Sequence, residues 1–476
     1  MHRFVTFVVI AVLLGLSVNT LRAETVIDAD DPYIQYFGRW DFADPLNPKT
    51  SWGNSIRVAF VGTRIAVELT NDVDPMYFQY SIDDGEYTVF TTSGTETVDL
   101  ANGLSGDNHT LHLVRRSEAS YGITTFSGLV LDDGADLVAP SPKPELKFEF
   151  IGDSITAGYG SEGQHSLSTD NVFSTYGPRV AGKLGGQWNM VARSGIGISV
   201  DTGGEAAMPM RYQDMHFTWW GDPGKWDFSR YTPHIVTVLL GTNDYVYDNP
   251  SQAVFETAYA DFISFIRGNY PTAHVFVLNP LIGTVPWPNN PERWVACKLY
   301  LQNVVDDFNE AGDDRVYFVE TGTQEDPWLA ESDYSGDMTH PNQSGHEIIA
   351  TELTELMAPI VASLGLGADA DVDSDTDTDS NADTDSNADT DSNADADSDT
   401  DADGDTDDDG EGDTDGDTET DTASGEDMGS DTELGDSPDA GAMEMESGQE
   451  GSGGGCTVAT RALGATRLLS WISRLL

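Results

Sequence analysis

Two patterns of apolar and polar positions divide the chain. From residue 24 to 139, short runs alternate with period two, as in Ser55–Val61, Arg64–Leu69 and His109–Val114, and Phe78–Ile82 leads into Asp83-Asp84-Gly85, a hairpin signal. No helical stretch interrupts them. These runs predict an antiparallel β-sandwich, and the lack of a Cys-Trp-Cys framework favours a jelly roll over an immunoglobulin-like arrangement. Beyond Glu145 the periodicity changes. Apolar runs suited to buried strands, at Phe148–Ile151, Trp188–Ala192, Ile235–Leu240 and Val275–Leu278, alternate with stretches apolar at helical spacing, at Val254–Arg267, Cys297–Phe308 and His346–Val361. That alternation predicts a parallel sheet covered by helices on both faces, over residues 145–366. Between the two regions, Pro140-Ser141-Pro142-Lys143-Pro144 reads as a short extended connector, 140–144.

Charge separates a further segment. The 476 residues carry a formal net charge of −59, and 34 of the 82 acidic residues lie between 367 and 455, where there is no Lys or Arg. The remaining 48 face 20 of the 23 basic residues, so the preceding part still carries about −28. Such a surface repels nucleic acid and anionic lipid and suits a neutral partner. Within 367–455, Asp377-Thr378-Asp379-Ser380-Asn381-Ala382 recurs at 383 and 389. With few apolar residues and strong self-repulsion, this segment is expected to be a disordered spacer.

The two ends carry their own signals. Residues 1–23 combine a short basic start, an apolar run from Phe4 to Val18 and Ala23 before a cut, which reads as an export signal. The run falls short of the ~20 residues needed to span a bilayer, so the expected location is secreted or at the cell surface. Residues 456–476, from Cys456 through Arg461, Arg467, Trp471 and Arg474, resemble in outline a sorting segment that attaches exported proteins to the cell envelope; an amphipathic surface helix is the alternative. Cys297 and Cys456 stand in dissimilar contexts, and His165, His216, His234, His274 and His346 are scattered. No metal or cofactor is expected.

Candidate chemistry gathers where strands end. Phe148–Ile151 breaks into Gly152-Asp153-Ser154, a strand-to-helix turn at the carboxyl end of a strand, where open α/β sheets place their sites. The strand at 188–192 runs into Arg193-Ser194-Gly195, and that at 235–240 into Gly241-Thr242-Asn243-Asp244. The loop Asp337-Met338-Thr339-His340 precedes the last helix. In isolation Ser154 and Asn243 read as cap or turn residues and Gly195 as a turn glycine.

Taken in order, Gly152-Asp153-Ser154, Gly195, Gly241-Thr242-Asn243-Asp244 and Asp337-Met338-Thr339-His340 resemble the four sequence blocks of SGNH (GDSL-type) hydrolases. The added strand domain, with Leu113-Val114-Arg115-Arg116-Ser117-Glu118 and Phe126-Ser127-Gly128-Leu129, resembles carbohydrate esterase family two, whose members deacetylate plant polysaccharides. The resemblance implies a flavodoxin-like three-layer α/β/α SGNH domain preceded by the jelly roll. It also implies a carboxylic ester hydrolase acting on an acetylated polysaccharide such as xylan or glucomannan. Ser154 would be the nucleophile, His340 its base and Asp337 the acid behind the imidazole; Asp153 and Asp244 would support their turns. Some relatives of the sugar-esterase type are thought to work with a Ser-His pair and backbone carbonyls in place of the acid. The resemblance also assigns the oxyanion hole to the N–H groups of Ser154 and Gly195 and the amide of Asn243.

Aromatic residues crowd the intervening loops: Trp219, Trp220, Trp226, Tyr245, Tyr247, Trp287 and Trp294. Sugar rings stack on such faces, which makes Trp287, Trp220 and Tyr245 the candidate substrate contacts, although each is also a plausible core residue. Trp40 and Trp52 of the first domain fit the core better than a sugar platform. An SGNH lipase or thioesterase, or a non-catalytic surface module that binds carbohydrate, are the alternative readings of the whole chain.

Overall fold

The computed structural model describes residues 24–200, 206–218, 221–281, 291–322 and 326–366. The expected export signal 1–23, the spacer 367–455, the segment 456–476 with Cys456, and Trp219, Trp220 and Trp287 lie outside the described residues. Among the described residues no helix is long and apolar enough to cross a membrane.

The first region forms β1 (Glu24–Asp28), β2 (Gln35–Phe37), β3 (Lys49–Thr50), β4 (Ser55–Val61), β5 (Arg64–Asn71), β6 (Met76–Ile82), β7 (Thr88–Thr92), β8 (Thr95–Asn102), β9 (Asn108–Arg115), β10 (Thr124–Asp132) and β11 (Asp136–Val138). They build two antiparallel sheets, one in the order β1-β10-β5-β8 with β3 on β10, the other β11-β4-β9-β6-β7 with β2 on β4. Period-two alternation sends Ile56, Val58 and Phe60 of β4 and Ile65, Val67 and Leu69 of β5 into one shared core, joined by Trp40, Leu111, Leu113, Leu129 and Leu131.

The second region forms a parallel sheet of β12 (Lys147–Gly152), β13 (Gln187–Ala192), β14 (Ile235–Leu239), β15 (His274–Leu278) and β16 (Val316–Val319), in the order β13-β12-β14-β15-β16. The helices are α1 (Ser154–Ala157), α2 (Tyr176–Lys183), α3 (Met208–Arg211), α4 (Gln252–Asn269), α5 (Pro291–Glu310) and α6 (Gln343–Leu364). Phe148, Phe150 and Met190 pack with Val180 of α2 and Ile349 and Leu353 of α6. Ile151, Val236 and Val238 pack on the other face with Phe262 of α4 and Leu301 of α5. Burial on both faces explains why the strands read as unbroken apolar runs. The four residues of β16 are too few to have stood out as a run.

The two domains share a buried interface. Arg39 of the first is fully buried; Nη1 donates to the carbonyls of Tyr212 at 2.6 Å and Asp214 at 3.2 Å, and Nη2 pairs with Glu149 Oε1 of β12 at 3.4 Å. The Tyr212 hydroxyl donates to Glu149 Oε2, and Asn189 Nδ2 donates to Oε1 at 2.6 Å. Trp52 joins the core of the second domain, its indole N–H donating to the Met215 carbonyl at 2.9 Å. Both Trp40 and Trp52 are therefore packing residues.

Candidate active site

Each of the site's loops is held by its own local chemistry. At the end of β12, Asp153 caps α1 by accepting the Ile155 N–H at 3.0 Å, which places Ser154 on the first turn with 6% of its surface exposed. Asp153 is buried, and burial pushes its carboxyl up to about 6. At the end of β13, Gly195 turns the chain at φ +80°, a conformation costly for other residues. Two residues on, a Cβ at Gly197 would lie 2.3 Å from Asp244 Oδ2, so only glycine lets this loop close onto that carboxylate. Asp244 then accepts the N–H groups of Ile198 at 2.9 Å and Ser199 at 2.8 Å. Asn243, next to it, donates Nδ2 to the Ile196 carbonyl at 2.9 Å, which leaves its second amide hydrogen for another acceptor.

The loop before α6 brings the remaining groups. His340 Nε2 lies 2.7 Å from Ser154 Oγ, and its Nδ1 lies 2.5 Å from Asp337 Oδ2. The other oxygen of Asp337 accepts the N–H groups of Thr339 and His340, both at 2.9 Å, and Met338 between them sits at φ +60°. Partial burial would raise the Asp337 carboxyl, but the hydrogen bond and charge of His340 and these two N–H groups outweigh it and hold it well below the usual carboxylate range. The Tyr159 ring packs 4.4 Å from the His340 ring and stacks on His165 at 3.6 Å; Asp170 holds His165 through Nδ1 at 3.0 Å.

Ser154, His340 and Asp337 are thus joined in one hydrogen-bonded line, and Asn243 hangs on the loop that follows Gly195. The aromatic expectations fare differently. Tyr245 is 2% exposed and packs edge-on against Phe255, so it is a core residue and not a sugar contact. It sits in a π-helical turn, Asp244–Asp248, which directs Tyr247 to solvent instead, 67% exposed. Trp294 is also buried, donating to the Pro280 carbonyl at 3.1 Å, and Trp226 lies under the guanidinium of Arg39 at 5.1 Å. Trp220 and Trp287 are outside the described residues.

One contact reaches the site from the first domain, where the sequence pattern showed nothing catalytic. Glu118, buried, accepts the Ser194 N–H at Oε2, 2.7 Å away. Its neighbours in sequence lock the same seam: Arg116 pairs with Glu162 and donates to the Ser168 carbonyl at 3.0 Å, and Tyr121 donates to Asp170 at 3.2 Å. A paired Arg-Arg and a Glu at a strand end were the only signal available, and it did not reveal what they would touch. Among the described residues no group of three His, Cys, Asp or Glu side chains is arranged to hold a metal ion.

Known proteins share this architecture. The GDSL-like Lipase/Acylhydrolase family model matches residues 150–348, and the Carbohydrate esterase 2 N-terminal model matches residues 36–142. The cellulase/esterase CelE of Acetivibrio thermocellus is 37% identical over 334 residues, which is 69% of this chain but only 39% of that protein's length. An acetylxylan esterase / glucomannan deacetylase of Cellvibrio japonicus is 26% identical over 357 residues, covering 72% of this chain and 93% of that one. A family two carbohydrate esterase from Clostridium thermocellum, solved in complex with cellohexaose, is 34% identical with a TM-score of 0.62, covering 70% of this chain and 99% of that one. With both domains matched in order and a solved member spanned almost end to end at that identity, the chain belongs to carbohydrate esterase family two.

Proposed function

We propose that this chain is an exported serine esterase that removes O-acetyl groups from a polysaccharide such as xylan or glucomannan. The observation that carries the reading is the 2.7 Å contact between Ser154 Oγ and His340 Nε2, with Asp337 2.5 Å behind the imidazole. As Oγ attacks the acetyl carbon, its proton passes to His340, and Asp337 stabilises the imidazolium. The oxyanion that forms lies against the N–H groups of Ser154 and Gly195 and the free amide hydrogen of Asn243. Collapse expels the sugar alcohol, which takes the proton back from His340. Water then repeats the sequence on the acyl-enzyme and releases acetate.

The substrate class rests on the relative named acetylxylan esterase / glucomannan deacetylase and on the acidic surface, which suits a neutral glycan. Export rests on residues 1–23. Acetate release from acetylated xylan and glucomannan is the test, with octanoate esters as the lipase control. Wild type should release acetate, and Ser154→Ala or His340→Ala should lower kcat by about 10⁴-fold or more. Faster turnover of octanoate than acetate esters would overturn the substrate assignment, and activity that survives Ser154→Ala would overturn the mechanism. Because a relative was solved in complex with cellohexaose, glucan binding is a second reading; Ser154→Ala should leave that binding intact.

A further inference from the structure

The Glu118 contact joins the two domains at a chemically sensitive point. Glu118 is 4% exposed, three residues beyond β9 and just before the short 3-10 turn Ala119–Tyr121, and Oε1 accepts the Ser120 hydroxyl while Oε2 accepts the Ser194 N–H at 2.7 Å. Ser194 precedes Gly195, whose N–H makes no hydrogen bond among the described residues and whose φ of +80° turns the chain. Tying down the Ser194 N–H fixes the Arg193–Ser194 peptide plane, and only the φ and ψ of Ser194 separate that plane from the one that carries the Gly195 N–H. A carboxylate suits this role because it only accepts and binds an amide more firmly than a neutral oxygen does. Nothing else described takes the Ser194 N–H.

We infer that Glu118 of the β-sandwich is a positioning residue for the esterase site, holding the Arg193–Ser194 peptide so that the Gly195 N–H one residue on faces the oxyanion; this rests on the function proposed above. The first domain is then part of the catalytic unit as well as a neighbour on the chain. A missing oxyanion donor typically costs about 10²- to 10³-fold in rate, so a donor left in place but misdirected should cost less.

Two substitutions separate geometry from charge. Glu118→Gln keeps the length and an accepting oxygen; Glu118→Asp keeps the charge but withdraws the acceptor by one methylene. On acetate esters, with rates normalised to the folded fraction by near-ultraviolet circular dichroism, Glu118→Gln should hold kcat within about threefold of wild type. Glu118→Asp should lose about 10- to 100-fold in kcat with KM within about twofold. A second readout does not depend on the substrate. An alkyl fluorophosphonate reacts as the Ser154 Oγ–P bond forms, the P–F bond breaks, fluoride leaves and the serine proton passes to His340, with the phosphoryl oxygen in the oxyanion position. Labelling of Ser154, followed by mass, should slow in the same pattern. An Asp variant that matches wild type in both assays, or a Gln variant that loses as much as Asp, overturns the inference while leaving the esterase reading in place. If wild type labels but hydrolyses no ester, the esterase reading fails and the labelling rates alone decide Glu118. If wild type does neither, both fail.

Discussion

Replacing Asp337 measures how much the acid contributes to a site where relatives are thought to differ. The His340 Nδ1 to Asp337 Oδ2 separation is 2.5 Å, but 42% of the Asp337 side chain is exposed, so water screens the pair. Charge centres roughly 4 Å apart interact by ~1 kcal/mol in water and ~4 kcal/mol at an effective dielectric of about 20. For a half-exposed group, ~2–3 kcal/mol is the reasonable middle, which corresponds to roughly 10²-fold in kcat. Asp337→Ala should lose about that much, since water can take the carboxylate's place. Asp337→Asn should lose more, about 10³- to 10⁴-fold, although its carbonyl can still accept the N–H groups of Thr339 and His340. The amide hydrogens would face Nδ1, driving the imidazole proton onto Nε2, where it points at Ser154 and removes the base. Steady-state kinetics on p-nitrophenyl acetate at neutral pH would show both losses in kcat with KM within about twofold. If both variants stayed within about threefold of wild type, the acid would be idle and the catalytic unit would be the Ser-His pair. An Asn variant no worse than Ala would refute the tautomer argument.

Two further outcomes test the scaffold. Arg39→Ala leaves Glu149 buried without its cation, so urea denaturation should show a loss of about 3–5 kcal/mol; a loss below about 1 kcal/mol would mean that the interface does not depend on this pair. Asp153 is a carboxyl raised by burial from its ordinary 3.8 to about 6, so the protonated form fits the fold better than the anion. Its contribution is fully present below pH ~4 and fades as pH rises through about 6, a difference of about 3 kcal/mol at neutral pH. Asp153→Asn, which can keep the cap to Ile155, should therefore be more stable than wild type at pH 7–8 and lose that advantage near pH 4; a pH-independent difference would contradict the shift.

Local order was enough to read much of this molecule. Alternation with period two in Ser55–Val61 and Arg64–Leu69 announced sheets wet on one side, and the unbroken apolar run before Ser154 announced a strand buried on both, because side-chain burial follows backbone periodicity directly. The Gly-Asp-Ser and Asp-x-x-His blocks named the three side chains that the structure joins, Ser154, His340 and Asp337, since each sits at a strand end or loop whose position the fold class already implies. Tyr245 could not be placed the same way. Whether an aromatic ring in a loop turns inward or outward depends on one π-helical turn, which buries Tyr245 and exposes Tyr247, and their spacing alone does not distinguish them. Glu118 was equally silent, because its partner lies 76 residues along the chain, in the other domain. The sequence by itself determined the elements and the chemical groups, which are properties of neighbouring residues. Only the tertiary structure decided which face each loop presents and that the β-sandwich reaches the loop that carries Gly195, because those depend on contacts between distant segments that form when the chain is packed.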